Sequence, residues 1–295
     1  MTKITAKSYF SGAGGMDLGL SLAGIKIIQS LDIDHIACDT LRWNFTHTIL
    51  EEDITNKIVL EQPRSHVLVG TFPCNKYSSG ANLYGTRLGD NLFLHFFRHI
   101  VLEQPEIYVI ENVPGIEKFQ AVIEAFMQLP DYYTQIGHIN ASIWLPQHRS
   151  RIIIFGSKKP MSISKPLVQS RIPFSAILEP QPKIHIPNYV YRRLDGHYRI
   201  LPIITDPADI EAIAPTCVAH YAKDVSTGLI RDENFPRGVR PYTPLEYARL
   251  QGFPDSFEFA GTDRDIYKQV GNAVAVPVAE WIGEQIINYF KREAG

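Results

Sequence analysis

Cysteine is scarce. Cys38, Cys74 and Cys217 are the three in 295 residues. They form no C-x-x-C pair and their number is odd, so neither a disulfide framework nor a cysteine-based zinc site follows. A reducing compartment is expected, and no metal. Long apolar runs are missing too. No stretch approaches the roughly 18 residues that a membrane span needs. The opening MTKITAKSYF has no apolar signal-peptide core. The expectation is a cytoplasmic, globular protein without a membrane partner. A G-x-G-x-x-G fingerprint is also absent. The net charge is only −2, but it is unevenly spread. Residues 158–240 hold 12 Lys and Arg against 8 Asp and Glu, which leaves that segment at +4 and the remainder at −6. A basic segment on an acidic body suits a polyanionic partner.

What is present is a series of apolar strands that stop at chemically active residues. Val67-Leu68-Val69 leads into GTFPCNKYS, which sets Cys74 directly after Pro73. In open α/β sheets the carboxyl edge of the strands is where ligands bind. Proline stiffens the backbone entering the thiol. A buried structural cysteine is the plainer reading of Cys74 alone, and the other strand ends weigh against it. Residues 79–90, SGANLYGTRLGD, are glycine-rich and polar, and are a candidate lid over that thiol.

Ala6 to Phe10 reads as the first strand, followed by a glycine loop with Gly12, Gly14 and Gly15 and then a helix. Such a loop lets backbone approach a ligand, and the helix start favours negative charge. The next strand ends in Asp32-Ile33-Asp34. One acid there can accept from ribose hydroxyls and the other can cap the helix beginning near His35. Asp53 follows a third strand end, either as an adenine contact or as solvated charge. A further strand, Ile107 to Ile110, stops at Glu111-Asn112-Val113-Pro114-Gly115. A carboxylate there is costly without a partner. Gln147, Arg149 and Arg151 alternate into the strand Ile152 to Phe155, so period two sets all three on one face.

Residues 158–240 lose this regularity, and basic and aromatic side chains mix from Tyr189 to Arg199. Arg192 and Arg193, if extended, point to opposite faces, so one reaches a base edge at most. RPYTPLEYARLQGFP then resumes a helix, with Thr243 as N-cap and Glu246 at the capping-box position. Gly271-Asn272 precedes a final amphipathic helix.

Eight segments, FSGAGGMDLGL, DID, EDI, GTFPCNKYS, ENVPG, QHRSR, RPYTPLEYARLQGFP and GNAVAVPVA, occur in an order that resembles the DNA cytosine-5 methyltransferases. They cover 5–157 and 236–290. The resemblance implies an α/β fold: a Rossmann-like S-adenosylmethionine-dependent methyltransferase sheet with a small target-recognition domain inserted before the C-terminal helices. It places the catalytic domain at 1–157, the recognition region at 158–240 and a completing segment at 241–295.

The chemistry accounts for the residue types. C5 of cytosine attacks a sulfonium methyl only after a thiolate has added to C6, which makes Cys74 the expected nucleophile. Glu111 suits N3 of the base. By resemblance Arg151, with Arg149, holds O2 through a permanently charged fork. Asn112, Gln147, Arg192 and Arg193 are further expected substrate contacts. The base must leave the duplex to be reached. The cofactor is expected to be S-adenosylmethionine, leaving as S-adenosylhomocysteine. Its site, by resemblance, takes Phe10, Gly12, Gly15, Asp32 on the ribose, Ile33, Asp53 and Ile54 at the adenine, Pro73, Leu92, and Asn272 at the methionine end. Asn75 departs from the family's usual Gln, Lys76-Tyr77 replaces a small residue and Phe, and Ile33 stands where some members carry an aromatic ring. The partner is expected to be double-stranded DNA, met by a monomer of prokaryotic or phage origin, in the cytoplasm or at the nucleoid. Two alternatives are a tRNA cytosine-5 methyltransferase of the same fold and a non-catalytic DNA-binding paralogue. Thr216-Cys217-Val218 is not the Cys-Phe-Thr element of the tRNA subgroup, and the Pro-Cys and ENV residues that such paralogues lose are intact.

Overall fold

The computed structural model describes residues 3–59, 63–73, 92–167, 171–196 and 202–293. Cys74 and the candidate lid 79–90 lie outside them. The chain forms two compact units. One comprises Met1–Ile139, Ser150–Pro166 and Val276–Gly295; the other comprises Asn140–Arg149 and Leu167–Ala275. The expected divisions at 157/158 and 240/241 are therefore not where the compact units part.

The first unit is built on a seven-stranded sheet. Its strands are β1 (Thr5–Tyr9), β2 (Lys26–Asp32), β3 (Thr48–Glu51), β4 (Val67–Gly70), β5 (Ile107–Asn112), β6 (Tyr133–Asn140) and β7 (Ser150–Ser157), in the order β3-β2-β1-β4-β5-β7-β6. The β1–β2, β2–β3, β1–β4 and β4–β5 pairs are parallel, and β7 runs antiparallel to β5. This is the α/β class expected. β4 and β5 are buried along their whole length, which is why VLVG and IYVIEN read as nearly unbroken apolar runs. Strand order reverses beside β1, whose neighbours are β2 and β4, and ligands of open α/β sheets bind at such a switch point.

Helices α1 (Gly15–Leu22), α2 (His35–Asn44), α3 (Leu92–Glu103) and α4 (Gln120–Met127) cover the sheet. α1 packs closely on the final helix of the chain, Val276–Glu293. A Cβ on Gly19 would lie 2.4 Å from that of Ala279, so a side chain here would push the two helices apart. α3 buries Phe96, whose ring would stand 2.7 Å from a Cβ on Gly70. Removing that ring from water contributes about 1.5–3 kcal/mol. The same side of β1 carries a polar cluster. Lys7, fully buried, places Nζ 2.7 Å from Glu103 Oε2, and the Tyr9 hydroxyl donates to Oε1 at 3.0 Å. Burial disfavours the Lys7 charge and lowers its pKa. Burial opposes the Glu103 charge too, but His99 and Lys7 outweigh it and hold the carboxyl below its usual range.

The second unit contains α5 (Asn188–Leu194), α6 (Pro244–Leu250), α7 (Asp263–Asn272) and a small sheet, β10-β9-β8, of Ile204–Thr205 (β8), Leu229–Arg231 (β9) and Val239–Pro241 (β10). Between these, short 3-10 turns replace regular elements, as the irregular periodicity implied. The capping box on α6 is present: Thr243 Oγ1 accepts from the Glu246 amide, and Glu246 Oε2 accepts from the Thr243 amide. Glu246 also receives Arg240 at 2.7 and 2.8 Å. α6 and α7 belong here because their tyrosines bury against 217–242: Tyr247 stacks on Tyr221 at 4.7 Å, and Tyr267 donates to the Tyr242 carbonyl. The last helix, α8 (Val276–Glu293), returns to the first unit.

Candidate active site

Strand β1 ends in a tight turn over the switch point. Phe10 adopts φ 59°, a left-handed conformation that costs a bulky residue on the order of 1–3 kcal/mol. Neighbours hold it there. The Thr71 hydroxyl donates to the Phe10 carbonyl at 2.8 Å, and the Thr71 amide donates to Tyr9. The Ser11 amide donates to the Leu31 carbonyl at 3.1 Å. Gly12, at φ 53°, donates its amide to Asp32 Oδ2 at 2.7 Å, and among the described residues a Cβ on it would meet nothing within 4 Å. The turn is thus braced from β2 and β4. Gly15 begins α1.

The two acids after β2 divide their tasks. Asp34 caps α2, accepting from the amides of Ile36 and Ala37. Asp32 accepts from Gly12 and, through Oδ1, from the Asp34 amide. Burial raises its pKa against these hydrogen bonds. Ile33, between them, is 68% exposed, an apolar surface at a strand end. Asp53 Oδ1 accepts from the Thr55 amide, while Ile54 is buried and its carbonyl receives Arg98 at 2.9 Å. Pro73 is exposed and Leu92 half-buried, on either side of residues 74–91.

β5 brings Glu111 to the same carboxyl edge, opposite Ile153 of β7. Arg151 Nε lies 2.8 Å from Glu111 Oε1, and both side chains are largely buried. The contact is ionic. Among the described residues no donor meets Oε1 with hydrogen-bond geometry. Asn112 turns to backbone: its amide donates to Phe72 at 3.1 Å, and its oxygen accepts from Val113. It ties β5 to the segment entering Pro73, a positioning part rather than the substrate contact expected.

Gln147 and Arg149 differ from expectation more sharply. They do share a face, but it points into the core of the second unit. Gln147 donates to Leu250 at 2.7 Å and accepts from the Cys217 amide at 2.9 Å. Arg149, 2% exposed, donates to the carbonyls of Cys217, Gly271 and Ala273 at 2.9, 3.2 and 2.7 Å. Its fork is committed to backbone, so the Gln-Arg-Arg face is split: two residues brace a loop and Arg151 meets Glu111. The braced carbonyls flank Asn272, the exposed last residue of α7.

Arg192 and Arg193 lie in α5, not on an extended segment, so their side chains diverge by roughly 100° rather than pointing to opposite faces. Arg193 Nη2 is 2.5 Å from Asp224 Oδ2, and the neighbouring Tyr189 hydroxyl accepts from the Val225 amide. Arg192 is exposed and makes no ion pair among the described residues.

The model for C-5 cytosine-specific DNA methylases matches residues 4–189 and 211–288. The chain belongs to the C-5 cytosine-specific DNA methylase family. This methylase is 30% identical to the Type II methyltransferase M.NgoFVII of Neisseria gonorrhoeae over 314 residues, covering 90% of this chain and 82% of that protein. It is 31% identical to M.NlaX of Neisseria lactamica, covering 94% of each. Its fold matches the Entamoeba histolytica methyltransferase EhMeth with a TM-score of 0.82 at 19% identity, covering 98% of this chain and 99% of that one. It matches the S. pombe Dnmt2 methyltransferase with a TM-score of 0.80 at 18% identity.

The residues of this methylase fit an adenosyl cofactor. An ionised carboxylate accepts about four hydrogen bonds, so Asp32 keeps capacity beyond its three backbone donors, Gly12, Ile33 and Asp34. Ile33 beside it offers an exposed apolar side chain, and among the described residues no atom lies within 4 Å of a Cβ on Gly12, so backbone there can meet a ligand closely. Sequence reasoning missed Thr71, which holds the strained Phe10, and the clamp that Arg149 forms with Gln251. Gln251 donates to Val270 at 2.9 Å and Ala273 at 3.1 Å. No local pattern marks either role, because both depend on carbonyls distant in sequence.

Proposed function

We propose that the methylase acts on duplex DNA as the modifying half of a restriction-modification pair, with S-adenosylmethionine at the glycine turn and a flipped cytosine beside Glu111. Asp32 would accept from the ribose, Ile33, Asp53 and Ile54 would border the adenine, and Asn272 would meet the methionine end. The cofactor supplies the electrophilic methyl group. Cys74 adds as thiolate to C6, C5 takes the methyl, and loss of the C5 proton expels the thiolate. Arg151 stays charged throughout. It keeps Glu111 in place, so that the carboxyl group can hold N3 as charge develops on the ring.

The observation that carries this reading is Glu111 Oε1, a buried acceptor at the strand edge with an ionic partner but no hydrogen-bond donor among the described residues. Buried acceptors are rarely left so unless a ligand completes them. The family match stops at 189 and resumes at 211, so target choice is expected to involve α5 and the residues from there to 211. Nothing favours tRNA as substrate.

The test is methyl transfer to duplex DNA and to tRNA, with base-resolution mapping, for the wild type, Cys74→Ser and Glu111→Gln. The wild type should methylate DNA, Cys74→Ser should be inactive with cofactor binding nearly unchanged, and Glu111→Gln should fall about 10²–10⁴-fold. A covalent adduct on 5-fluorocytosine DNA should be lost in Cys74→Ser. Near wild-type transfer by that variant would refute the assignment.

A further inference from the structure

Beneath the glycine turn lies a buried acid that takes no part in the methyl transfer itself. Asp17 sits in the first turn of α1 with no exposed surface. The positive end of the helix favours its charge, but it has left water. Ser30 Oγ donates to Oδ2 at 2.9 Å, and the Ser8 hydroxyl also hydrogen-bonds the carboxylate, while among the described residues Oδ1 lacks a partner of good geometry. Burial pushes the pKa up to about 6, against the bonds from Ser8 and Ser30, and the charge of Asp32 adds to the rise.

The two serines extend this contact in both directions. Ser11 Oγ has two acceptors for its one hydrogen, Ser8 Oγ at 2.9 Å and the Ser8 carbonyl at 3.1 Å. Ser11 stands between Phe10, at φ 59°, and Gly12, at φ 53°. On the other side Ser30 Oγ is 2.7 Å from His47 Nε2. Each hydroxyl has one hydrogen to give. When Asp17 is ionised, Ser8 and Ser30 both donate to it. Ser8 then accepts from Ser11, and Ser30 accepts from His47, whose hydrogen must sit on Nε2. The ionised acid thus fixes the Ser8 and Ser30 hydroxyls as donors towards it. A protonated Asp17 gives up at least one of these acceptor sites, and where it donates to a serine it reverses that arm.

We infer that ionised Asp17 is a positioning residue for the cofactor: through Ser8 and Ser11 it holds the Phe10–Gly12 turn in the shape that binds the ligand, and protonation loosens that turn. The inference rests on the reading that this turn receives S-adenosylmethionine. Of the other titratable groups, Asp32 stands at the end of β2 and acts on the Asp17 charge, and His47, kept neutral above about pH 4 by burial, meets Ser30. On α8, packed on α1, Glu280 has its pKa raised by burial and by Glu284.

The sign separates this role from plain stability. With a folded pKa near 6 and an ordinary value of 3.8, the folded protein holds a proton that the unfolded chain has lost between those values. The contribution of this group to stability is therefore full below the lower value and is lost as pH rises through the upper one. Cofactor affinity should move the opposite way, rising as pH passes 6.

The experiment is calorimetric binding of S-adenosylhomocysteine to the full chain from pH 5 to 8, for the wild type, Asp17→Asn and Ser8→Ala. The Asp17 carboxyl carbon is followed by NMR without ligand. Wild-type affinity should drop about tenfold from its plateau by pH 5, as the competent fraction falls. Asp17→Asn should bind weakly at pH 8 and retain only the pH slope due to Asp32. Ser8→Ala should lose affinity at pH 8 although Asp17 still titrates. A flat wild-type profile, or wild-type affinity in Asp17→Asn at pH 8, overturns the inference. If Asp17→Asn does not fold, the wild-type profile and Ser8→Ala decide it. Failure of the wild type to bind at any pH removes the cofactor reading itself.

Discussion

Replacing Arg149 by alanine takes three donors from the carbonyls of Cys217, Gly271 and Ala273 at a site only 2% exposed. Hydrogen bonds from a charged donor are worth about 1.5–3 kcal/mol each. The three share one guanidinium and do not simply add, while the orphaned carbonyls and the cavity add their own cost. We expect a loss of about 4 kcal/mol, a large part of the margin of about 5–15 kcal/mol that a folded protein has. For a chain of this size that is a fall in Tm on the order of 10 °C. Arg149→Lys keeps the charge but not the fork and should lie between. The assay is urea unfolding followed by circular dichroism, paired with single-turnover methyl transfer at low temperature and saturating cofactor. Because Arg149 touches no reacting atom, Arg149→Ala should still transfer methyl groups where it is folded, with a weakened cofactor KM from the loosened 271–273 loop. Unchanged stability together with lost transfer would refute this reasoning and return Arg149 to the part the sequence implied.

Two further outcomes are expected. Glu103→Ala strands the buried Lys7 ammonium and should cost about 3–5 kcal/mol, whereas Lys7→Met with Glu103→Leu should be near neutral or stabilising; chemical denaturation of the single and double variants measures both. Arg192→Ala should weaken DNA binding and reduce its salt dependence, or relax one target position at a cost of about 1–3 kcal/mol. Arg193→Ala should instead lower thermal stability through the lost Asp224 pair. Salt-dependent binding across a target library, with melting curves, distinguishes the two.

The strand-end residues were legible because parallel strands buried on both faces must be apolar, so an acid or a Pro-Cys at their ends stands out. Asp32 and Glu111 stand at the ends of their strands as read, while Cys74 lies outside the described residues. The capping box of Thr243 and Glu246 is equally local, three residues apart, and it forms as read. Period two correctly put Gln147 and Arg149 on one face. It could not tell whether that face meets a ligand or a core, because the answer depends on carbonyls 68 to 124 residues away. For the same reason the sequence did not show that Asp224 engages Arg193, since the two are brought together only by folding. Asp17 drew no reading from the sequence, because its burial and its partners Ser8 and Ser30, on β1 and β2, are set only by folding. The sequence by itself determined the fold class, the family and the order of the site's strand ends, since hydrophobic period and turn chemistry act over a few residues. Tertiary structure alone decided which charged and polar side chains remain available for chemistry, since availability is what is left after distant backbone groups have claimed their hydrogen bonds.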